Sequence, residues 1–580
     1  MGFRAPVRDI NFALGEVAGL NDLLASNAFP NFDSETCSQV LTAAGEFVDG
    51  VLAPLNRIGD MEGARFENGR VFGAPGFTDA YRRYTEGGWT SLAAPEEFGG
   101  QGLPRAVAVA VFEMATAANM SFALCPMLSE AAIHLLTTHG TPRQKQIYLP
   151  KIVSGEWTGT MNLTEAQAGS DLALIRTRAE SDGDKFRVTG QKIFITWGDH
   201  DCAENIVHLV LARLPDAPEG TKGISLFLAP KRLPDENGKA GVANSLRPLS
   251  IEHKLGIHAS PTCVMSYEAA QAELVGAPHQ GLALMFTMMN AARLNVGAQG
   301  SGIAERAYQQ ARDYALERRQ GRSAWSDDAP ARLFDLPDVR RMLLLMKAKT
   351  EAARAICLST AVAADLAERA ASAEARENAK LREELLVPVA KAWSTDVGVE
   401  VASLGIQVHG GAGFIEEAGA AQFYRDARIA PIYEGTNGIQ ATDLVGRKLP
   451  LAGGEPIRAL FTEVRATLPD LDKAVAAHLR DVIAATERAT EWLNLNRGST
   501  DALAGATTYL KLLGDTVGGW MLAKAALAAS RGADADYARG KLALARLFAT
   551  QVLTCAPGLA DVVQAGAGEI EAGATALAAD

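Results

Sequence analysis

The chain of 580 residues is longer than one ordinary core supports, so about three domain-sized units are expected. Hydrophobic residues make up 48% and charged residues 21%, which supplies apolar surface to bury and excludes wholesale disorder. A net charge of −12 speaks against a nucleic-acid partner, because such binding rests on a basic surface.

Over 1–157 apolar residues recur at three and four spacings, as in "SETCSQVLTAAGEFVDGVLAPLNRIGD" and "AVAVAVFEMATAANMSFALCPMLSEAAIHLLTTHG", which predicts an N-terminal helical domain. Its opening "MGFRAPVRDINFALGEV" lacks the basic start, apolar core and cleavage site of a secretory signal, and Pro6 stands where a myristoylation signal has Ser or Thr. Over 158–274 the period shortens. "KFRVTGQKIFITWG", "NIVHLVLARL", "GISLFLAP" and "TCVMSYEAA" read as strands between Gly, Pro and Asp turns, a small β domain set between helical blocks. Helical spacing resumes over 275–449, in "GLALMFTMMNAARLNVGAQGSGIAERAYQQARDYALERRQ" and "LPDVRRMLLLMKAKTEAARAICLSTAVAADLAERA". Residues 450–580 form a further alanine-rich helical block. Its stretch "TTYLKLLGDTVGGWMLAKAALAAS" is interrupted by Lys511, Asp515 and Lys524, so it does not read as a membrane span, no membrane partner is expected, and the block reads as a packing domain.

The six cysteines are scattered without a Cys-x-x-Cys pair, which fits a reducing cytoplasm and removes zinc-ribbon and thioredoxin sites. The nine histidines include no His-Glu-x-x-His, and His134 and His139 lie on different helix faces, so no metal is expected. "GAQGSG", Gly297 to Gly302, has its glycines in the wrong order for a dinucleotide fingerprint and no strand before it, so it reads as close helix packing. Any nucleotide cofactor would then bind outside a Rossmann fold. In "MNLTEAQAGSDLALIRTRAE", Thr164, Gly169 and Ser170 offer hydroxyls and backbone donors on a turn, suited to phosphate or carbonyl oxygens. In "KIFITWG", alternation places Phe194 and Thr196 on one side of a strand, where an aromatic and a hydroxyl could cradle a flat ring. In "PIYEGTNGIQ", a single carboxylate, Glu434, stands between an aromatic residue and a Gly-Thr pair.

Taken in order, "LTEAQAGSD", "GQKIFITWG", "ALERRQGR", "QVHGGAGF" and "YRDARIAPIYEGTNGIQ" resemble the acyl-CoA dehydrogenases, flavoproteins that bind FAD without a Rossmann domain. The resemblance covers about residues 35 to 449, and the C-terminal block with "FITWGDHDCAENIVHLVLAR" extends it toward the bacterial branch acting on 3-(methylthio)propanoyl-CoA. It implies an α+β architecture: an N-terminal helical domain, a central β-barrel-like domain, a C-terminal helical bundle and an extra C-terminal helical domain. By this resemblance Glu434 is the base that takes the α proton of an acyl-CoA thioester, while the β hydrogen leaves as hydride to flavin N5. An apolar pocket would raise the carboxylate pKa toward that task. The backbone N–H of Glu434 would help hold the thioester oxygen, a contact typically worth ~3 kcal/mol.

The same resemblance gives Tyr433 the wall of the acyl site, Gly435 the close turn and Thr436 a face toward the cofactor. Thr164 would contact flavin and Ser170 pantetheine, and Phe194 and Thr196 would pack on the isoalloxazine. Arg318 would pair with the FAD pyrophosphate of a neighbouring subunit, and Gln407, Gly410 and Gly411 would hold its adenosine half, so a homo-oligomer, a dimer, is expected. Asn290 and Arg293 would reach the CoA nucleotide. Phe194, Gly321 and Gly438 stand where Trp, Phe and Gln are usual in the family, which removes side-chain contacts at the two glycines. The alternative site for the base, next to Arg293, holds Ala292, and Glu416 and Glu417 read as solvated. The expected electron acceptor is an electron-transfer flavoprotein. A broad short- or medium-chain fatty acyl-CoA dehydrogenase, an acyl-CoA oxidase and a DNA-associated flavoprotein are the alternatives, the last opposed by a C-terminal block in which acidic residues slightly outnumber basic ones.

Overall fold

The computed structural model describes residues 2–578, which divide into two compact units. One comprises Glu46–Pro104 and Ala118–Ala292; the other comprises the residues up to Gly45, Arg105–Ala117 and everything from Arg293 onward.

The first unit is built on a seven-stranded sheet. Thr262–Val275 pairs with Lys185–Thr196 and with Ile224–Pro230. Lys185–Thr196 pairs with Arg178–Asp182, which meets Asn205–Arg213 at Arg178, and Asn205–Arg213 pairs in turn with Ile224–Pro230. These five strands close on themselves as a barrel, with Trp157–Asn162 added in parallel to Asn205–Arg213 and Leu246–Ile251 against Thr262–Val275. Closure explains the sequence pattern of Ile224–Pro230, which is buried along its whole length and therefore reads as an unbroken apolar run. Val188, Val210, Phe227, Met265 and Tyr267 are among the residues filling the core.

Helices precede the barrel in this unit, but not helices alone. Arg65–Glu67 and Arg70–Phe72 form a hairpin inside the stretch expected to be helical. Its turn residues Asn68 and Gly69 both have positive φ, as a two-residue hairpin turn requires. Three-residue strands are too short to register as a period, so "ENGR" carried the only sequence signal.

The second unit is helical. Pro337–Arg369 and Ala373–His409 pack along each other and against the last part of Gly281–Glu317. The motif "GAQGSG" sets this packing, as its composition suggests. A Cβ on Gly297 would lie 2.5 Å from the carbonyl oxygen of Ala390, one on Gly300 2.2 Å from that of Ser394, and one on Gly302 2.8 Å from that of Glu113. Backbone meets backbone at all three.

The C-terminal block contributes the helices Glu455–Thr467, Lys473–Leu495, Thr500–Ser530, Ala535–Gln551, Ala556–Gln564 and Gly568–Ala578. Asp472, Ser499 and Asp534 cap three of them through side-chain oxygens that accept backbone N–H groups. The block docks through two kinds of contact. Gly514 and Gly518 admit the indole of Trp393, whose Nε1 donates to Asp515 at 2.9 Å. Lys541, itself buried, bridges Asp9 at 3.0 Å and Glu351 at 2.8 Å, and Lys347 bridges the same two carboxylates. Burial acts to raise the Asp9 carboxyl, and the two lysines overcome it and hold it far below the usual range.

Two helical stretches, Arg105–His139 and Ala535–Gln564, are long and apolar enough by composition to cross a membrane. The first is wholly buried, as a core helix is, and the second is broken by the short turn Leu553–Cys555.

Gly300→Ala tests the packing directly. The added methyl meets a backbone carbonyl that has no freedom to retreat, so a loss of about 1–3 kcal/mol is expected in denaturant unfolding, with Ala298→Gly as the control on the same helix.

Candidate active site

Glu434 lies on the turn between the helices Ala420–Ala427 and Asn437–Asp443. Its φ is +56° and that of Gly435 is +84°, so two successive residues adopt the left-handed region. For glycine this is free; for glutamate it costs roughly 1–2 kcal/mol. A side chain at Gly435 would also strike Gln440 Nε2 at 2.9 Å. Glu434 is half-buried. Its carboxylate makes no hydrogen bond or ion pair among the described residues, and neither does its backbone N–H. Burial raises its pKa, against the fields of Arg293 and Lys391, which act to lower it.

The surrounding side chains hold the turn. Arg293, buried, donates from Nε to the carbonyl oxygen of Glu434 at 3.3 Å. Lys391, fully buried on Ala373–His409, donates to the carbonyl of Gly435 at 2.8 Å and to Oδ1 of Asn437 at 2.9 Å. Tyr433 donates its hydroxyl to Gln299, the buried glutamine inside "GAQGSG". Burial raises the Tyr433 phenol well above its usual range, so it remains a neutral donor. Thr436 caps Asn437–Asp443 by accepting the N–H of Ile439 at 3.2 Å. Arg293, Tyr433, Glu434, Gly435 and Thr436 are therefore brought together, and Gln299, Lys391 and Asn437 join them. Arg293, which the resemblance directs to the CoA nucleotide, lies with its Nε on the Glu434 carbonyl. Asn290, one turn earlier on the same helix, is exposed.

In this same unit Gln407, Gly410 and Gly411 lie exposed at the end of Ala373–His409 and in the turn Gly410–Phe414, with open space where side chains on either glycine would point. Arg318 is exposed after Gly281–Glu317, and its guanidinium is in no ion pair among the described residues. Glu416 and Glu417 are exposed as expected, Glu416 bridging Arg425 at 3.0 Å.

On the barrel, strand pairing is irregular at Phe194. The register against Thr262–Val275 slips between Lys192 and Ile195, and Phe194 sits in the resulting bulge with φ +60°. Phe194 is 59% exposed and Thr196 half-buried, with Ile195 buried between them. A large aromatic presented to solvent on a left-handed bulge fits stacking on a flat heteroaromatic ring. The turn with Thr164 and exposed Ser170 is tied to this strand. Thr164 accepts the N–H of Ile193 at 2.9 Å, and buried Glu165 pairs with buried Lys192 at 2.8 Å. Glu165 also accepts the N–H groups of Arg176 at 2.7 Å and Thr177 at 3.1 Å. Burial acts to raise Glu165, but Lys192 and these donors prevail and hold it below the usual range. Glu165 and Lys192 are 27 residues apart, and no local signal pairs them. Among the described residues, no cluster of three or more His, Cys, Asp or Glu could hold a metal.

These features have known counterparts. Residues 34–156, 160–270 and 279–449 match the N-terminal, middle and C-terminal domains of acyl-CoA dehydrogenase, and residues 460–572 match the acetyl-CoA dehydrogenase C-terminal-like domain. The chain belongs to the acyl-CoA dehydrogenase family, whose cofactor is FAD, and is an acyl-CoA dehydrogenase carrying an extra C-terminal helical domain. It is 47% identical to the 3-methylmercaptopropionyl-CoA dehydrogenase of Ruegeria pomeroyi, over 95% of this chain and 96% of that one. A butyryl-CoA dehydrogenase of Syntrophomonas wolfei is 33% identical over 96% of each. In fold it resembles Caenorhabditis elegans ACDH-11, solved with C11-CoA, at a TM-score of 0.79 and 22% identity over 95% of this chain and 92% of that one.

The raised carboxyl of Glu434 has a stability signature. Its folded form binds a proton more tightly than the unfolded chain does, so ionisation costs stability above the ordinary carboxylate range. Glu434→Gln is expected to melt above the parent near about pH 8, with the gap closing toward about pH 4. A variant that melts lower at the higher pH contradicts the burial described here.

Proposed function

We propose that this acyl-CoA dehydrogenase oxidises 3-(methylthio)propanoyl-CoA to 3-(methylthio)acryloyl-CoA, with Glu434 as the base. The observation that carries the role of Glu434 is its environment: a half-buried carboxylate without hydrogen bonds, its pKa raised by burial, beside its own unpaired N–H. The carboxylate takes the α proton of the thioester, and the N–H receives the charge that develops on the thioester oxygen. Arg293 holds the Glu434 carbonyl, and Tyr433, fixed by Gln299, walls the acyl chain. When bound, FAD would supply a hydride acceptor for the β hydrogen, and an electron-transfer flavoprotein is the proposed acceptor of its electrons.

Thr164, Phe194 and Thr196 on the barrel, and Arg318, Gln407, Gly410, Gly411, Gly435 and Thr436 on the helical unit, are the residues proposed to hold FAD. The exposed bulge at Phe194 and the open surface at Gly410 and Gly411 fit that group. Ser170 and Asn290, both exposed, are proposed for CoA. The stretches 1–157, 158–274, 275–449 and 450–580 serve as the domains. The substrate rests on the 47% identity over nearly the full chain. The butyryl-CoA dehydrogenase at 33% supports a second reading, a broad short-chain preference, since a thioether sulfur replaces a methylene with little change of shape. We place the enzyme in the cytoplasm, consistent with its six unpaired thiols.

The homodimer reading is supported by apolar surface beside the proposed adenosine site. Phe414 is 85% exposed and Ile415 53%, directly after Gly410 and Gly411. Phe414→Glu is expected to give a monomer by light scattering, with FAD lost in proportion. A dimer that keeps FAD after this change removes the interface from 410–415.

The function is tested by anaerobic titration. 3-(Methylthio)propanoyl-CoA should bleach the flavin of the parent, while Glu434→Gln binds it without bleaching and is slowed by at least about 1,000-fold. The reduction rate should fall as pH drops through a midpoint above that of an ordinary carboxylate, because only ionised Glu434 accepts the proton. Faster reduction by butanoyl- or pentanoyl-CoA would move the substrate to the broad class.

A further inference from the structure

We propose that Lys391 is a positioning residue for the base: its ammonium fixes the backbone of the Glu434–Gly435 turn in the left-handed conformation that aims the carboxylate. The inference rests on Glu434 serving as the base.

Positive φ at two successive residues, one of them a glutamate, has to be held by its surroundings. At this turn both carbonyls are gripped by cations from different helices, Glu434 by Arg293 and Gly435 by Lys391. Both grips fall on carbonyls, and the N–H of Glu434 stays unpaired among the described residues. Lys391 cannot be replaced by water in this task, because it is fully buried.

Its second bond extends the clamp. Asn437 accepts from Lys391, and the two hydrogens of its Nδ2 are shared among Ala392 O at 3.0 Å, Thr395 Oγ1 at 3.0 Å and Asp396 Oδ1 at 2.8 Å. One amide thus staples the residue three beyond the base to a full turn of Ala373–His409. The register of that turn is itself held from two directions, by Gly297 and Gly300 against Ala390 and Ser394, and by Asp515 on Trp393. Removing Lys391 releases the Gly435 carbonyl and takes one partner from Asn437, which keeps its bonds to Ala373–His409; the freed carbonyl lets the strained glutamate relax toward negative φ.

Lys391 also acts on charge. It faces Glu434 on the turn, Arg293 on Gly281–Glu317 and Asp396 on its own helix; Asp396 in turn lies in the fields of Arg428 and Lys511. Burial lowers the Lys391 ammonium to about 7, against Glu434 and Asp396, which favour its charge. While charged, it favours ionised Glu434, so its loss should raise the pH at which the base becomes active.

The test uses FAD-loaded parent, Lys391→Met, Lys391→Arg and Asn437→Ala in anaerobic stopped flow with 3-(methylthio)propanoyl-CoA and butanoyl-CoA across pH. Lys391→Met should keep FAD and half-saturation within about threefold, lose at least about 30-fold in limiting reduction rate, and show its pH midpoint displaced upward. Lys391→Arg should recover part of the rate. Asn437→Ala, which retains the Gly435 bond, should lose less and keep the parental midpoint. Rates and midpoint of Lys391→Met like the parent's overturn the inference, as does a rate loss matched by equal loss of FAD or of substrate affinity. Failure of both Lys391→Met and Asn437→Ala to fold overturns it too, assigning the pair to stability. If the parent is reduced by neither thioester, the functional reading fails and takes this inference with it. If the parent reacts and Lys391→Met reacts alike, only the positioning role is lost.

Discussion

The helical unit is organised by the close approach of Gly281–Glu317 to Ala373–His409. Small residues permit backbone contact at Gly297 and Gly300, and that contact determines where every other side chain on the second helix points. With Ala390 and Ser394 committed to the glycines, Lys391 falls toward the Glu434–Gly435 turn and Trp393 toward the C-terminal block. The same glycine-rich segment carries Gln299, which receives the Tyr433 hydroxyl. A packing motif and an active-site support are thus one stretch of chain, and a shift of either helix would displace Tyr433 and Gly435 together.

Some carboxylates in this protein are held ionised by their partners, while burial raises others, Glu113, Asp365 and Glu434 among them. Glu165, Glu305 and Asp9 are surrounded by cations and hydrogen-bond donors, and each is held below its ordinary pKa. They join segments distant in sequence, and ionisation is what makes the joint. Glu434 receives only the more distant fields of Arg293 and Lys391, whose hydrogen bonds go to backbone carbonyls instead. Neither cation forms an ion pair with the carboxylate, and burial raises its pKa against their fields.

Much of this was legible before any coordinates. Period three to four located the long helices, and turn-bounded apolar runs located the strands, because a helix face and a buried strand each impose their spacing on local sequence. The extra domain and "GAQGSG" packing also followed from composition. Glu434 stood out through family resemblance, not through any local rule, since a carboxylate beside glycine is common. What escaped detection depends on conformation or on distant partners. The bulge at Phe194 adds a single extra residue to the strand, and the hairpin at Arg65–Phe72 is too short to show a period. The left-handed φ of Glu434 has no signature in a residue that is not glycine. Lys391 meets Gly435 across 44 positions and Lys192 meets Glu165 across 27, separations at which a single sequence gives no pairing signal.

Trp393 fits the C-terminal block only because Gly514 and Gly518 lack side chains: a Cβ on Gly514 would lie 2.2 Å from the indole. Knob and hole are on different segments and neither has a use alone, since the indole without the hole is an exposed apolar plate and the hole without the indole is a void in a helix face. A relative without residues 450–580 should carry a smaller or more polar side chain where this chain has Trp393, so that one position records the presence or absence of a whole domain.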